Sequence, residues 1–386
     1  MVDVDAILRP YWEAITAAVG PLELYDVHTH IGRNDPDGFR QTPEQLLSVL
    51  ENAGARAVVF PMHEPDGYPR ANDEVLTAAA ESGGRLVAFC RVNPHDDAVA
   101  EARRCLDAGV RGIKLHPRAE RFTMGEPAVR DVVALAHERR VPVLIHAGRG
   151  IPALGQDTVR LSGDFPDARL ILAHAAISDL AWLWRVLPEH PNLFVDTAWW
   201  NPADLIALFT LAPPSQILWG SDSPYGLPMT SAMLHMRCAL QAGLGPEALR
   251  WICGGQVQRL LAGEDPADAG PPPGAARAYD PLLERICTHL ITVMGRAFVR
   301  ADYEEPLALA RLACAVGDDG PHADLCASVL ELLDLFKRHL GPPPDGRPIP
   351  PAGRLIVAAL TVARTPEVPL PARPGAPEPT RAEAGA

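Results

Sequence analysis

The sequence predicts a closed (β/α)8 TIM barrel, an α/β fold, followed by a C-terminal α-helical extension. Two observations predict it. Short apolar segments alternate with amphipathic segments over residues 22–262, and polar side chains recur where the apolar segments end. Strands that are apolar on both faces are typical of a parallel sheet covered by helices. The carboxyl ends of barrel strands meet at one mouth, where barrel active sites lie.

The predicted elements follow one another regularly along the chain. An amphipathic helix over 3–19 precedes the first strand. Eight strands are expected at 22–30, 57–60, 86–90, 110–116, 141–146, 170–174, 192–196 and 216–222. Helices are expected at 43–53, 71–82, 96–108, 127–139, 157–164, 178–187, 202–209, 230–241 and 246–262. A doubly wound open sheet is the alternative, but the first strand lacks the glycine-rich phosphate loop typical of that fold.

Composition shifts divide the chain into three regions. Residues 1–264 are predicted to form the barrel, and proline-rich residues 264–274 a linker. Residues 275–364 are predicted to form a small helical domain of unknown role, with helices near 278–299, 304–316, 323–340 and 354–364. Residues 365–386 are rich in Pro, Ala, Glu and Arg, and are predicted to be a disordered tail.

Charge and cysteine content limit the possible partners and compartment. The 386 residues include 35 basic and 48 acidic side chains, a net charge of −13, which argues against a nucleic-acid or anionic-membrane binder. No apolar run is long enough to span a bilayer, and the N-terminus lacks the features of a signal peptide. Seven dispersed cysteines favour a reducing compartment. We therefore expect a cytoplasmic protein with a small-molecule substrate and no nucleic-acid or membrane partner, and a homodimer is its candidate oligomeric state.

The segment Asp26-Val27-His28-Thr29-His30 suggests a metal site. Side chains alternate across a strand, so His28 and His30 share one face at the strand end. Taken alone, two surface histidines beside a turn would explain the pattern equally well. Further candidates end later predicted strands: Lys114, His116, His146, His174 and Asp222. Imidazoles with a carboxylate suit zinc, with manganese or iron as alternatives. A metal-activated water would then be the nucleophile.

Five segments resemble the amidohydrolase superfamily. Asp26-Val27-His28-Thr29-His30 is similar to its opening motif, and four later segments resemble the amidohydrolase-related branch, which holds hydrolases and aminocarboxymuconate-semialdehyde-type decarboxylases. These are Gly112-Ile113-Lys114-Leu115-His116-Pro117, Leu144-Ile145-His146-Ala147-Gly148, Leu172-Ala173-His174-Ala175 and Trp219-Gly220-Ser221-Asp222-Ser223-Pro224. The resemblance covers residues 20–262. It does not extend to the helical region after 275.

The resemblance also implies functional roles. It implies one divalent ion, with zinc preferred, bound by His28, His30, His146 and Asp222. His174 would act on the bound water or polarise the substrate, and Asp222 would also carry a proton. A carboxylated Lys114 bridging two ions, as in two-metal members, is the alternative to a single ion with Lys114 near a substrate anion.

Basic and aromatic residues near the strand ends suggest substrate contacts. Arg33, Lys114, Arg118 and Arg149 would, with a metal cation, form a locally positive mouth, in which an arginine fork can hold a carboxylate. His116 is a further expected substrate contact. Trp199 would wall an apolar pocket. Each loop arginine could equally be a solvated surface residue.

Three functions are compatible with these features. The first is a metal-dependent hydrolase of a small, carboxylate-bearing substrate. The second is a metal-dependent decarboxylase of a small unsaturated or aromatic acid. The third is a binding protein built on a barrel that has lost its activity, which the intact ligand set argues against. Hydrolysis is preferred at this stage, because it requires only the metal-activated water and Asp222 as proton carrier.

Overall fold

The computed structural model describes residues 3–148, 150–274, 280–299, 301–317, 319–341 and 351–372. Its strands are β1 (Leu24–Ile31), β2 (Ala55–Pro61), β3 (Leu86–Ala88), β4 (Cys90–Arg91), β5 (Ile113–Leu115), β6 (Pro142–Ile145), β7 (Arg169–Leu172), β8 (Leu193–Asp196) and β9 (Ile217–Leu218). All pair in parallel, in the orders β1-β2-β3 and β4-β5-β6-β7-β8-β9.

These strands close into one barrel of eight. β3 and β4 are two parts of a single barrel strand, interrupted at Phe89. At this point the strand changes its pairing, because Phe89 N donates to Val59 O at 2.9 Å whereas Cys90 N donates to Gly112 O at 3.0 Å. The tip of the Phe89 ring lies close to Gly112, where a Cβ would come within 2.5 Å of it. At the seam, Val27 N donates to Trp219 O at 3.0 Å and His30 N donates to Ser223 O at 2.8 Å. The predicted TIM barrel is confirmed.

The helices cover the barrel and continue beyond it. Many begin with proline at the first position, where the missing N–H would be unpaired in any case; Pro43, Pro127 and Pro228 are examples. They are α1 (Val4–Val19), α2 (Pro43–Ala53), α3 (Pro69–Glu81), α4 (Ala98–Asp107), α5 (Pro117–Glu120), α6 (Pro127–Arg139), α7 (Leu154–Asp164), α8 (Leu180–Leu183), α9 (Pro202–Leu211), α10 (Pro228–Gln241), α11 (Pro246–Arg250), α12 (Gln256–Leu261), α13 (Pro281–Phe298), α14 (Glu304–Ala313), α15 (Ala323–His339) and α16 (Gly353–Arg364).

Helices α13–α16 and the described residues around them (280–299, 301–317, 319–341 and 351–372), here called the C-terminal extension, pack against the barrel. α16 contacts α10, α9 and α1, and its residues Leu355–Ala363 are buried. Apolar side chains of the extension belong to the same buried cluster as those between the barrel helices. The four predicted C-terminal helices are all present. Whether residues 1–264 can fold without them stays a prediction.

The predicted disordered tail begins too early, at residue 365. Thr365 and Val368 are buried, and Arg237 of α10, also buried, donates to the residues that follow α16. Its Nε donates to Thr365 Oγ1 at 3.0 Å, and its Nη1 donates to Pro369 O at 2.7 Å. A buried guanidinium needs such acceptors, so this stretch is ordered. Residues 373–386 of the predicted tail lie outside the described residues.

The predicted linker lies along the barrel surface. Gln256, buried at the start of α12, donates through Nε2 to Ser215 O at 2.7 Å and to Ala267 O at 3.2 Å. Gly274 N donates to Thr210 O at 3.0 Å. Across the described ranges, no helix is long and apolar enough to cross a membrane.

Candidate active site

Three predicted ligands meet at the seam of the barrel. His28 and His30 lie on one face of β1, and Asp222 lies in the turn after β9. Their ligand atoms are all within 4.8 Å of one another. The Nε2 atoms of His28 and His30 are 3.2 and 3.1 Å from Asp222 Oδ1. Asp222 has a φ of +62°, a left-handed conformation of the kind that collects at functional sites.

A buried carboxylate orients His28. Asp196, at the end of β8, is fully buried, and its Oδ2 lies 2.7 Å from His28 Nδ1. Its Oδ1 accepts from the backbone N–H groups of His174 at 2.8 Å and Ala198 at 3.0 Å. Burial holds the pKa of His28 well below its usual range, so His28 is neutral and donates from Nδ1 to Asp196. The lone pair on Nε2 therefore faces the cluster, as in carboxylate–histidine–metal arrangements.

The remaining geometry fits a divalent cation. With Nδ1–H of His28 held by Asp196, the Nε2 lone pair points at a carboxylate oxygen of Asp222 at 3.2 Å. Two lone pairs facing each other repel, and a cation between them removes the repulsion. Two imidazoles and a carboxylate are also a suitable donor set for zinc, manganese or iron. A histidine–histidine–aspartate cluster able to hold a metal ion is therefore present.

Asp26 joins the first strand to the turn that carries Asp222. Its Oδ1 accepts from His28 N at 3.0 Å and from Ser221 N at 2.9 Å. Burial raises its pKa to about 7. Because it bonds to the backbone of His28 and to that of Ser221, the residue before Asp222, Asp26 fixes the register of His28 against Asp222.

His146 and His174 form a second pair beside the cluster. His174 Nε2 lies 2.9 Å from His146 Nδ1, and His174 Nδ1 donates to Ala198 O at 2.7 Å. When His174 carries its only proton at Nδ1, its Nε2 is the acceptor and His146 donates from Nδ1. That leaves a lone pair on His146 Nε2, which has no partner among the residues the structure describes. A Cβ at Gly148 would come within 2.5 Å of this atom, so glycine is needed there. The role of His146 as a fourth ligand stays a prediction.

Two of the predicted substrate contacts lie behind this pair. The His116 ring stacks on His146, with centroids 3.8 Å apart, and its Nδ1 accepts from Ala119 N at 3.1 Å. Lys114 is fully buried, with Nζ 4.7 Å from the Phe60 ring centroid and no hydrogen-bond partner within the described residues. Burial lowers the pKa of Lys114 to about 7. Neither residue lines the cavity described next, and their substrate contact stays a prediction.

An ion pair that the sequence did not suggest lies close by. Arg91, at the end of β4, is buried, and its Nη2 donates to Glu120 at 2.6 Å. The Tyr68 hydroxyl donates to the same carboxylate at 2.5 Å. The positive charge of Arg91 contributes, after burial, to holding the pKa values of His30 and His146 well below their usual range. The one sequence signal that could have indicated Arg91 is its position at the end of a strand.

A cavity of about 390 Å³ adjoins the two groups of side chains. His146, His174 and Asp222 form part of its wall, and most of the remaining lining is apolar or aromatic: Phe39, Ile177, Ala198, Trp199, Trp200, Tyr225, Leu227, Leu234, Met294, Phe298 and Val357. The predicted substrate contacts Arg118 and Trp199 both line it. Arg149, a further predicted contact, lies outside the described residues.

The loop that carries Trp199 is held by a buried histidine of α10. His235 Nε2 donates to Trp199 O at 3.1 Å, while its Nδ1 accepts from the Thr197 hydroxyl at 2.9 Å. Thr197 Oγ1 in turn accepts from Gly220 N at 3.1 Å. This network connects the end of β8 with the turn after β9, so the cavity wall and the clustered carboxylate are positioned together.

Comparison with known proteins identifies the family. The amidohydrolase family model matches residues 25–261. This chain belongs to the amidohydrolase family. The match spans the eight strands and every clustered side chain described above, and it confirms the resemblance noted from the sequence. The chain has no significant match among curated proteins.

Solved structures share the barrel of this amidohydrolase. The 5-carboxyvanillate decarboxylase of Sphingomonas paucimobilis is 15% identical, with a TM-score of 0.50, and the match covers 63% of this chain and 99% of that one. An uncharacterized TIM-barrel protein of Bordetella bronchiseptica is 18% identical, with a TM-score of 0.50 and coverages of 63% and 99%. The Metarhizium anisopliae IDCase in apo form is 14% identical, with a TM-score of 0.50 and coverages of 64% and 98%. At these identities the likeness concerns the fold.

Proposed function

We propose that this amidohydrolase-family protein is a metal-dependent decarboxylase, a carbon–carbon lyase, acting on a small aromatic or unsaturated carboxylic acid. The observation that carries the proposal is the aromatic and largely apolar cavity in direct contact with His174 and Asp222. We further propose a single Zn²⁺ as the ion, with Mn²⁺ or Fe²⁺ as alternatives, held by His28, His30 and Asp222 with His146 as the fourth ligand.

The cavity suits the loss of carbon dioxide. Decarboxylation converts a charged, strongly hydrated carboxylate into neutral carbon dioxide. An apolar site that strips water from the carboxylate destabilises the charged substrate relative to this neutral product, and so favours the reaction. Trp199 and Trp200 wall the cavity, and Trp199 is fixed by its Nε1–H, which donates to Asp204 at 2.7 Å. Flat indole surfaces also suit a planar ring, whose π system can delocalise the electron pair left behind.

His174 is the proposed proton donor. The carbon–carbon bond to the carboxylate breaks and leaves its electron pair on the ring carbon, which must then take up one proton. His174 lines the cavity, and its Nδ1–H is fixed by Ala198 O at 2.7 Å. An additional proton on His174 would therefore reside at Nε2, where it would replace the hydrogen bond that His146 donates to this atom. Transfer of that proton to carbon completes the reaction, and the next proton comes from solvent.

The remaining groups bind and orient the substrate. A divalent ion in the cluster would supply positive charge that holds and polarises an oxygen of the substrate. Arg118, at the edge of the cavity, has no acidic partner in the described part of the chain, so its guanidinium can pair with a carboxylate.

Decarboxylation replaces hydrolysis as our preferred reaction for two reasons. An acyl-transfer site needs access for water as a reactant, whereas the cavity lining is predominantly aromatic and aliphatic. In addition, the same barrel serves a 5-carboxyvanillate decarboxylase, so this architecture supports such chemistry in another protein. Hydrolysis remains the alternative outcome of the test.

The test is a substrate panel on the metal-loaded full chain. Hydroxylated benzoic acids and unsaturated diacids are compared with lactones and esters, and released carbon dioxide is measured together with acid formation. In D2O, decarboxylation should place one deuterium on the carbon that lost the carboxylate. His174→Gln should lower carbon dioxide release by about 100-fold or more, the usual contribution of general acid catalysis, while retaining the metal.

The matched control is His137→Gln, on a histidine at the end of α6 that bonds to Asp167 N and does not line the cavity. Its turnover should equal that of the unmodified protein. Acid formation from an ester or lactone, with no carbon dioxide from any acid, would show that the protein is a hydrolase instead.

A further inference from the structure

The C-terminal extension lies outside the region that this chain shares with its relatives. The family model ends at residue 261, and the matched structures are covered over 98–99% of their own length, which corresponds to 63–64% of this chain. Helix α13, the first of the extension, begins at Pro281, after the end of the family match. A cavity wall that these helices contribute is therefore a feature of this chain and not of the shared barrel.

Three apolar side chains of the extension complete the wall of the active-site cavity. Met294 and Phe298 of α13 and Val357 of α16 line the same cavity as His174 and Asp222. Met294 and Val357 are 3% and 7% exposed, whereas Phe298 is 42% exposed. Met294 and Val357 therefore form a buried wall, and Phe298 lies at its rim.

A row of aromatic rings leads from the proposed proton donor to this wall. The ring centroids of His174 and Trp199 are 6.5 Å apart, those of Trp199 and Trp200 are 6.0 Å apart, and those of Trp200 and Phe298 are 5.5 Å apart. All four rings line the cavity. A part of the substrate that contacts Phe298 is therefore separated by two indole rings from the part that reacts.

The cavity has room for a substituent as well as for a carboxylated ring. Its volume of about 390 Å³ lies within the range typical of pockets for drug-sized ligands, about 300–1,000 Å³. Arg354 is the one charged side chain that the described part of the extension adds to the lining, and its Nη2 donates to Tyr225 O at 3.2 Å, beside the turn that carries Asp222.

The chemistry of the wall selects the kind of substituent. The side chains of Met294, Phe298 and Val357 have no strong hydrogen-bond donor or acceptor. Burying one methylene group against such a surface raises affinity by about fourfold. A polar group placed there would lose its hydration without gaining a partner. The wall therefore favours an alkyl group over a polar one.

We propose that Met294 and Phe298 are specificity-determining residues of an apolar subsite, so that the substrate is a small aromatic or unsaturated acid carrying an alkyl substituent away from its reacting carboxylate. The inference rests on the proposed function, because that function places the reacting carboxylate near His174. The two side chains contact a part of the substrate that does not react, and they take no part in the chemical step.

The test measures binding and does not depend on turnover. Calorimetric titrations of the metal-loaded full chain compare benzoate with 3- and 4-alkylbenzoates whose chains run from methyl to butyl. In the better of the two series, each added carbon should tighten binding by about twofold to fourfold. Replacing the terminal methyl of a propyl group by a hydroxyl, as in 4-(2-hydroxyethyl)benzoate, should remove the gain from that carbon.

Variants of α13 show where the alkyl group binds. Phe298→Ala should reduce the advantage of the butyl compound over benzoate by about fivefold or more, while changing the Kd of benzoate by less than about twofold. Phe298→Leu should restore part of this advantage. Because Phe298 is partly exposed, its replacement should leave the fold intact, and Met294→Ala provides a second variant with the same expected effect.

Leu312→Ala is the matched control, because Leu312 of α14 is a 66% exposed apolar residue that does not line the cavity. This variant should keep the full advantage of the butyl compound. If the unmodified protein binds benzoate and the alkylbenzoates equally, or if Phe298→Ala and Met294→Ala both keep the advantage or weaken all ligands alike, the proposal is wrong.

The measurements also separate this proposal from the proposed function. An advantage of alkylbenzoates that depends on Phe298, without carbon dioxide release from any acid, would refute the decarboxylase function and leave the apolar subsite standing. Carbon dioxide release from unsubstituted acids, without any advantage of the alkyl compounds, would refute the subsite and leave the decarboxylase function standing.

Discussion

At the scale of single residues, several buried histidines are held by hydrogen bonds that fix one tautomer of each ring. Asp196 fixes His28, Ala198 O fixes His174, and the Thr197 hydroxyl with Trp199 O fixes His235. Each ring then presents a defined nitrogen. Burial holds the pKa values of His28 and His235 below their usual range, so both are neutral in the folded protein near neutral pH.

His235 leads to a prediction about acid stability. Burial lowers its pKa to about 4, whereas a histidine in an unfolded chain titrates near 6.5. Between these values the unfolded chain binds a proton that the folded chain does not, so stability is lost as the pH falls from 6.5 towards 4. Between pH 7 and pH 5 the loss from this residue should be about 2 kcal/mol.

Urea unfolding of the unmodified protein and of His235→Gln at both pH values measures this loss. Contributions from other groups cancel in the difference, so the unmodified protein should lose about 2 kcal/mol more than the variant. If both proteins lose the same unfolding free energy between pH 7 and pH 5, folding does not lower the pKa of His235.

The sequence indicated the candidate metal ligands but not the residues that orient them through hydrogen bonds. Alternation along β1 and the shared strand ends were enough to indicate His28, His30 and Asp222, because parity is a local property. Asp196 also ends a predicted strand, but nothing local shows its bond to His28, which joins β8 to β1 across 168 residues.

At the scale of elements, periodicity predicted the strands and helices but not where they are interrupted. At Phe89 the backbone changes its partner from Val59 on one neighbouring strand to Gly112 beside the other, a change that local hydrophobicity cannot show. The placement of residues 365–369 depends in the same way on a distant residue, Arg237. Composition around residue 365 is polar and proline-rich, yet a buried cation 128 residues earlier requires its carbonyl groups.

Removing the residues after α16 should therefore destabilise the protein. Truncation after Arg364 removes the acceptors at Thr365, Val368 and Pro369, and burial lowers the pKa of Arg237 only to about 10, so its charge remains at neutral pH. A buried charge without acceptors costs about 3–5 kcal/mol. The urea midpoint should fall accordingly.

Two controls separate this effect from a general effect of shortening. Truncation after residue 372 keeps every acceptor of Arg237 and should leave the midpoint unchanged. Arg237→Met in the chain truncated after Arg364 should recover part of the loss, because the unpaired charge is gone. If the shorter chain unfolds like the full one, the contacts of Thr365 and Val368 contribute nothing to stability.

On the scale of the whole molecule, the metal cluster lies where the barrel closes. His28 and His30 belong to the first strand, and Asp222 follows the last one. The backbone bonds Val27 N to Trp219 O and His30 N to Ser223 O cross the same seam. An ion bound by these side chains would therefore join the two ends of the barrel sequence, so we expect metal binding to stabilise the entire fold.

The final prediction concerns removal of this metal. An ion that binds only the folded chain stabilises it by about 2.7 kcal/mol at a free concentration one hundred times its Kd. Zn²⁺ should therefore raise the melting temperature of the chelator-treated protein by several degrees, and EDTA should reverse the rise. The double variant His28→Ala, His30→Ala should bind no ion and should melt at the same temperature with or without Zn²⁺. A second double variant, His137→Ala, His190→Ala, removes two histidines distant from the seam and should respond to Zn²⁺ like the unmodified protein. An equal rise in the His28, His30 variant would place the stabilising ion elsewhere, whereas loss of the rise in that variant alone would locate it where the first and last strands meet.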